Sequence, residues 1–183
     1  MEESQLIRLC IAKDRVAQKA LYEQYSPMAY AICLRYLSNQ FDACDCLQKS
    51  FIKAYANLGQ VQSNSSLAGW IKTVTIRTCL DHIRSKKQLK FNDLDHAKQT
   101  KDESVVELKL SDHNVEFDEL CQLIDLMPEG YRTVFNLAIL DEMSHEEIAK
   151  ICDISIGTSR SQLFKARKMM QALIIQHYGQ LTY

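Results

Sequence analysis

Turn-forming residues are scarce in this sequence: there are 5 glycines and 2 prolines in 183 residues, where an average chain carries about 12% of the two together. That supply excludes a β-sandwich or barrel with its many tight turns, and a mostly helical chain is expected. The 7 cysteines follow no paired pattern. Cys44 and Cys46 form only a CxC, and Cys10, Cys33, Cys79, Cys121 and Cys152 are scattered, so neither a disulfide framework nor a zinc site is expected. No uncharged run approaches the roughly 18 residues of a membrane helix, and the acidic opening Met1-Glu2-Glu3-Ser4 lacks the cationic start of a signal peptide. A glycine-rich phosphate loop, a nucleophile signature and a local set of histidine ligands are also missing. His145-Glu146-Glu147 has Ala149 where a zinc-protease helix needs its second histidine. The expectation is a reduced, cytoplasmic, non-enzymatic protein with no metal and no cofactor.

What is present is enough apolar content, 46%, to bury a core, and an uneven charge. The net charge is −1, which alone argues against a simple DNA coat. Yet residues 1–93 carry 13 basic and 8 acidic side chains, whereas residues 116–155 carry 2 and 10. Residues 156–183 then hold 4 basic side chains and no acidic one. A second basic cluster spans residues 66–92, where Lys72, Arg77, Arg84, Lys86, Lys87 and Lys90 meet only Asp81. Two basic stripes on a neutral chain point to two anion-binding surfaces, although either stripe alone could be a solvated helix face.

Hydrophobic spacing divides the chain into helices. Residues 4–12 form the first, and Asp14 can cap a second with Val16, Ala17, Ala20 and Leu21 inward. Ser26-Pro27 has the form of a helix start and predicts a third helix to about Leu37. Residues 42–58 form a fourth, with Ala43, Leu47, Ser50, Ile52 and Ala54 inward, ending at Gly59. After a polar loop over 60–66, residues 67–88 are helical, with Leu67, Trp70, Ile71, Val74, Leu80 and Ile83 apolar. Trp70 is expected in the core rather than on a base, while Phe51 fits either a partner surface or the core. The pattern lapses over 88–114, which predicts a linker. It returns with Phe117, Leu120, Cys121, Ile124 and Leu126, breaks at Met127-Pro128, and resumes over 129–140.

Near the C-terminus the local chemistry is denser. Ser144-His145-Glu146-Glu147 is a capping box, followed by Ile148, small Ala149 and Ile151 on one side of a short helix ending at Cys152. Asp153-Ile154-Ser155 makes a three-residue turn, Asp being tolerant of left-handed backbone, and Ser155 can cap the next helix. There Ser159, Leu163, Ala166 and Met170 recur at helical spacing and are expected inside. Thr158, Arg160, Ser161, Gln162, Lys165 and Lys168 are left facing out. This is a helix-turn-helix whose second helix offers polar groups to base edges and cations to phosphates.

These segments resemble a known family. Asp42-Ala43-Cys44-Asp45-Cys46-Leu47-Gln48-Lys49-Ser50-Phe51-Ile52-Lys53-Ala54-Tyr55 is similar to the DAED-x-x-Q-E-x-F-x-x-x-W pattern of bacterial sigma factors. Trp70-Ile71 with Asp81-His82-Ile83-Arg84 resembles that family's next element. Leu126-Met127-Pro128, Arg132-Thr133-Val134-Phe135, Glu147-Ile148-Ala149 and Gly157-Thr158 resemble its C-terminal domain. The short chain and bare linker place the resemblance in the extracytoplasmic-function group.

The resemblance implies an all-α protein of two small helical domains joined by a flexible linker. A region 2-like domain would span 1–90, the linker 91–115, and a region 4-like helix-turn-helix domain 116–183. It implies a sigma factor that binds core RNA polymerase through Asp42, Asp45, Gln48, Phe51 and Tyr55. Its minus-ten contacts would be Ser63, Asn64, Ser65, Lys72, Arg77, Asp81, Arg84, Lys86 and Lys87. The exposed residues of the recognition helix, Thr158, Arg160, Ser161, Gln162, Lys165 and Lys168, would read the minus-thirty-five element. Further partners would be promoter DNA and an anti-sigma factor, with no stable membrane insertion and a place on the nucleoid through polymerase.

Cys44 stands where the family has Glu, Lys49 replaces another acid, and Arg77 takes a place held by Asn. Asp153 and Ser159 replace the usual Gly and Val of the helix-turn-helix. Two other readings compete: a helix-turn-helix regulator that acts without polymerase, and a helical adaptor whose basic stripes serve solvation alone.

Overall fold

A computed structural model describes residues 2–61, 66–86 and 117–178. Every regular element among them is helical. The chain separates into two compact units, split between Lys86 and Lys87. The expected linker over 91–115 lies outside the described residues.

The first unit contains α1 (Glu3–Ile11), α2 (Arg15–Tyr36), α3 (Gln40–Asn57), a 3-10 turn (Leu58–Gln60) and α4 (Leu67–Ser85). Asp14 caps α2 as its side chain predicts, accepting from the Ala17 N–H at 2.8 Å. The start expected at Ser26-Pro27 does not occur, because α2 runs unbroken through Pro27. Proline there removes one intrahelical hydrogen bond, but α2 packs against both α3 and α4, and that burial outweighs the local loss. Leu21, Ala29, Ile32, Cys33 and Tyr36 fill this contact, each large apolar side chain contributing about 1.5–3 kcal/mol. Val16, expected inside, is exposed, while Ala17 beside it takes the buried side of the same turn. Cys33, Cys46 and Cys79 meet in the core from three helices, the Cys33 and Cys79 sulfurs 3.7 Å apart, and serve there as small apolar fillers.

The second unit contains α5 (Phe117–Asp125), α6 (Glu129–Phe135) widening into a π-turn (Asn136–Leu140), α7 (His145–Cys152) and α8 (Ile156–Tyr178). The Met127-Pro128 break is held by Arg132, whose guanidinium donates to the carbonyls of Asp125 and Met127, both at 2.9 Å. Leu126 is 62% exposed, and the chain turns so that Met127 is buried instead. Val134, Phe135, Leu137, Ile148, Leu163, Ala166 and Met170 form the core of this unit.

With glycine so rare, the turns draw on other residues: Lys13, Glu142 and Asp153 adopt left-handed backbone at φ 62°, 55° and 56°. Each costs roughly 1–2 kcal/mol relative to glycine's freedom, offset by the packing of the helices on either side.

Candidate nucleic-acid interface

The helix-turn-helix is assembled largely by local chemistry. The Ser144 hydroxyl accepts from the Glu147 N–H at 3.3 Å, while the Glu147 carboxylate accepts from the Ser144 N–H at 2.9 Å, so both halves of the capping box are in place. The Ser144 N–H first, and then the Ser144 hydroxyl, also 2.9 Å away, hold the Glu147 carboxyl below its ordinary range. Asp153 caps α7 in the left-handed conformation, and Ser155 accepts from the Thr158 N–H at 2.9 Å to start α8. His145 at the front of α7 reaches Ser159 on α8, Nδ1 to Oγ 2.9 Å. Burial first, then the nearby Arg160 and Arg167 charges, push the His145 pKa down. This side chain joins the two helices.

Ser159, Leu163, Ala166 and Met170 are all buried, as their spacing predicts. The outer face of α8 is narrower than the sequence suggests. Arg160, Ser161 and Lys168 are exposed. Thr158, Gln162 and Lys165 are half-buried against the scaffold. Thr158 shares a hydrogen bond with Ser155 (2.8 Å), Lys165 has its own partner, and the Gln162 Oε1 is enclosed without a hydrogen bond. Phe164 was not anticipated. It is exposed between Arg160 and Lys168, and the Lys168 ammonium sits 4.9 Å from its ring centroid. The i, i+4, i+8 spacing of Arg160, Phe164 and Lys168 is the sequence signal that marks this stripe.

On the first unit, α4 presents one continuous stripe. Trp70, Arg77, Asp81 and Arg84 follow helical spacing, and Trp70, expected in the core, is partly covered and lies outside the buried set. Together with Lys53, Asn57, Gln60, Val74 and Thr78, it lines a cleft of about 290 Å³ between α3 and α4. Lys53 and Asp81 bridge its wall at 3.0 Å, and Arg84 adds a longer pairing to Asp81 at 3.7 Å. Lys72 is not on this face. It lies five residues before Arg77, about 140° round the helix, and is half-buried with a partner of its own. Lys86 turns away to bind Asp42 at 2.6 Å. Ser63, Asn64, Ser65 and Lys87 lie outside the described residues.

The third candidate surface is the outer side of α3. Asp45 and Gln48 are exposed there together, Asp45 pairing with Lys49 at 2.6 Å. The other three predicted contacts turn inward. Phe51 is 3% exposed, its ring 4.7 Å from that of Tyr22 and 6.0 Å from that of Tyr55, which resolves its two readings in favour of the core. Tyr55 is half-buried and donates to the Gln18 carbonyl at 2.8 Å, and burial pushes its pKa up to about 12. Asp42 fastens α3 to α4 through Lys86 and, at 3.5 Å, His82. The Lys86 hydrogen bond is the main cause holding its carboxyl below the ordinary range.

In exchange, α3 exposes two apolar side chains. Phe41 is 87% and Ile52 68% exposed. Phe41, Asp45, Gln48 and Ile52 form one stripe at i, i+4, i+7 and i+11. Ile52, expected inside, lies nine residues from buried Ala43, about 180° away round the helix. That angle was readable in the sequence and contradicts the inward assignment.

Comparison with known proteins adds the following. The family profile of Sigma-70 region 2 matches residues 21–88, and that of Sigma-70, region 4 matches residues 117–170. The chain is similar to the ECF RNA polymerase sigma factor SigW of Bacillus subtilis, 28% identical over 172 residues, covering 86% of this chain and 89% of the relative. It is also similar to the ECF RNA polymerase sigma-E factor of Escherichia coli, 29% identical over 163 residues and 85% of both chains. Among solved structures, it shares the fold of the sigma factor RpoE of Bartonella quintana, solved in complex with the anti-sigma factor NepR. There the TM-score is 0.54 at 20% identity, over 85% of this chain and 95% of that one.

Proposed function

This chain belongs to the sigma-70 family, in its extracytoplasmic-function group, and from that premise we propose which of its surfaces does what. As a sigma factor it binds core RNA polymerase and directs promoter recognition and transcription initiation. The α3 stripe of Phe41, Asp45, Gln48 and Ile52 is the polymerase-docking face, with Phe51 and Tyr55 fixing α3 on α2 beneath it. The α4 stripe and its cleft take the opened minus-ten strand. There Trp70 stacks on a base, and Arg77 and Arg84 meet the phosphates. Arg160, Ser161 and Lys168 on α8 read the minus-thirty-five duplex in the major groove.

The observation that carries this assignment is the place of Trp70, a large aromatic side chain left outside the buried core on the wall of a cleft that also holds Lys53 and Arg77. A near-neutral chain fits as well, because core polymerase supplies the remaining affinity for promoter DNA. No described helix is long and apolar enough to cross a membrane. We place the protein in the cytoplasm, on the nucleoid through polymerase, free of catalytic activity, and restrained by an anti-sigma factor.

The docking face is tested by titrating labelled protein with purified core polymerase. Ile52→Ala and Gln48→Ala each weaken association by about fivefold, the scale of an interface residue worth about 1 kcal/mol. Both side chains are exposed, so the helical circular dichroism stays unchanged. Wild-type affinity in both variants removes this stripe from the contact surface.

A further inference from the structure

We infer that Glu3 is a positioning residue for minus-ten recognition, holding the Trp70 cleft in shape from a helix that supplies none of its lining. The inference rests on the proposed role of that cleft. Helix α1 lies before residue 21, where the match to the family's region 2 begins. It is nonetheless fixed to the unit: Leu6 and Cys10 are buried, and α1 packs on α2 and on the 3-10 turn Leu58–Gln60. From its first turn, the Glu3 carboxylate accepts a hydrogen bond from the N–H of Leu67, the first residue of α4, at 2.5 Å.

That N–H is one of the orphan donors of a helix start. The cap that α4 supplies for itself is weak, since the Ser66 hydroxyl stands 3.5 Å from the Gly69 N–H. Glu3 is thus the stronger acceptor, and its negative charge suits the positive end of the helix. Two walls of the cleft depend on α1. Gln60 belongs to the turn on which α1 packs, and Trp70 is one turn into the helix that Glu3 tethers. One short helix therefore sets the spacing between Gln60 and Trp70. Without the tether, the first turn of α4 frays and Trp70 loses its fixed approach to a base.

The chain has a single tryptophan, so its fluorescence reports the cleft directly. The test is a fluorescence titration of holoenzyme, reconstituted with core polymerase whose tryptophans are replaced by non-fluorescent 4-fluorotryptophan, against single-stranded minus-ten oligonucleotides taken from promoters that wild-type holoenzyme selects from a random library. Glu3→Ala raises the midpoint of the Trp70 response about fivefold, the effect of losing one charged helix cap. Glu3→Gln, which keeps an acceptor oxygen, recovers part of the loss, while core association and binding to minus-thirty-five duplex stay at the wild-type level. A merely structural loss would move core association and duplex binding as well, and would overturn the inference. A wild-type midpoint in Glu3→Ala overturns it too. If the wild-type protein itself gives no Trp70 response, the failure lies in the proposed role of the cleft.

Discussion

Arg160→Ala weakens binding of the holoenzyme to duplex containing the minus-thirty-five element by about tenfold and relaxes preference at one base position. The size follows from the geometry of α8. Arg160 is exposed one turn into the helix, about 90° round from the buried face of Ser159, Leu163 and Ala166. A guanidinium at that place reaches a base edge with two donors, worth about 1–3 kcal/mol of discrimination. The helix itself is anchored by the Ser155 cap and the His145–Ser159 hydrogen bond, so the substitution removes a contact without moving the scaffold. Lys168→Ala acts differently: it weakens all sequences alike and lowers the salt slope by about one. Lys165, half-buried with its own partner, contributes less than either. Gel-shift titrations of reconstituted holoenzyme at several salt concentrations measure all three. Unchanged affinity and base preference in Arg160→Ala would remove α8 as the reading helix.

Trp70→Ala lowers affinity for the opened minus-ten strand by tenfold or more and leaves core association and minus-thirty-five duplex binding intact. Base–aromatic stacking is worth about 1–3 kcal/mol, and among the described residues no other aromatic side chain lines this cleft. Trp70 is half-buried, so helical circular dichroism of Trp70→Ala separates any loss of fold from the loss of stacking. Permanganate reactivity of unpaired thymines in promoter complexes measures the strand opening. Normal opening by Trp70→Ala would place base capture elsewhere.

Much of the second unit was legible because its signals are local. A capping box, a left-handed Asp153 and a Ser155 cap are decided within three or four residues, and the burial of Ser159, Leu163, Ala166 and Met170 follows from helical spacing alone. The first unit misled where a local rule met tertiary packing. Pro27 has the form of a helix start, yet the contacts of α2 with α3 and α4 carry the helix through it. The assumption that apolar means inside failed at Ile52, Val16 and Trp70. At Ile52 and Trp70 the same departure marks a candidate partner surface.

The charge pairing was beyond sequence reasoning altogether. Lys86 and Asp42 stand 44 positions apart, and Lys53 and Asp81 stand 28 apart. The sequence alone therefore counted Lys86 as a phosphate contact and Asp42 as a polymerase contact. In the fold the two bind each other.

The most direct measurement of the central claim is promoter-directed transcription by purified core polymerase on a library of bacterial genomic fragments, with and without this protein. The account requires discrete transcripts that start only when the protein is added and that disappear with Trp70→Ala and Arg160→Ala together. Duplex binding by the protein alone, with core polymerase starting no new transcript in its presence, would contradict it.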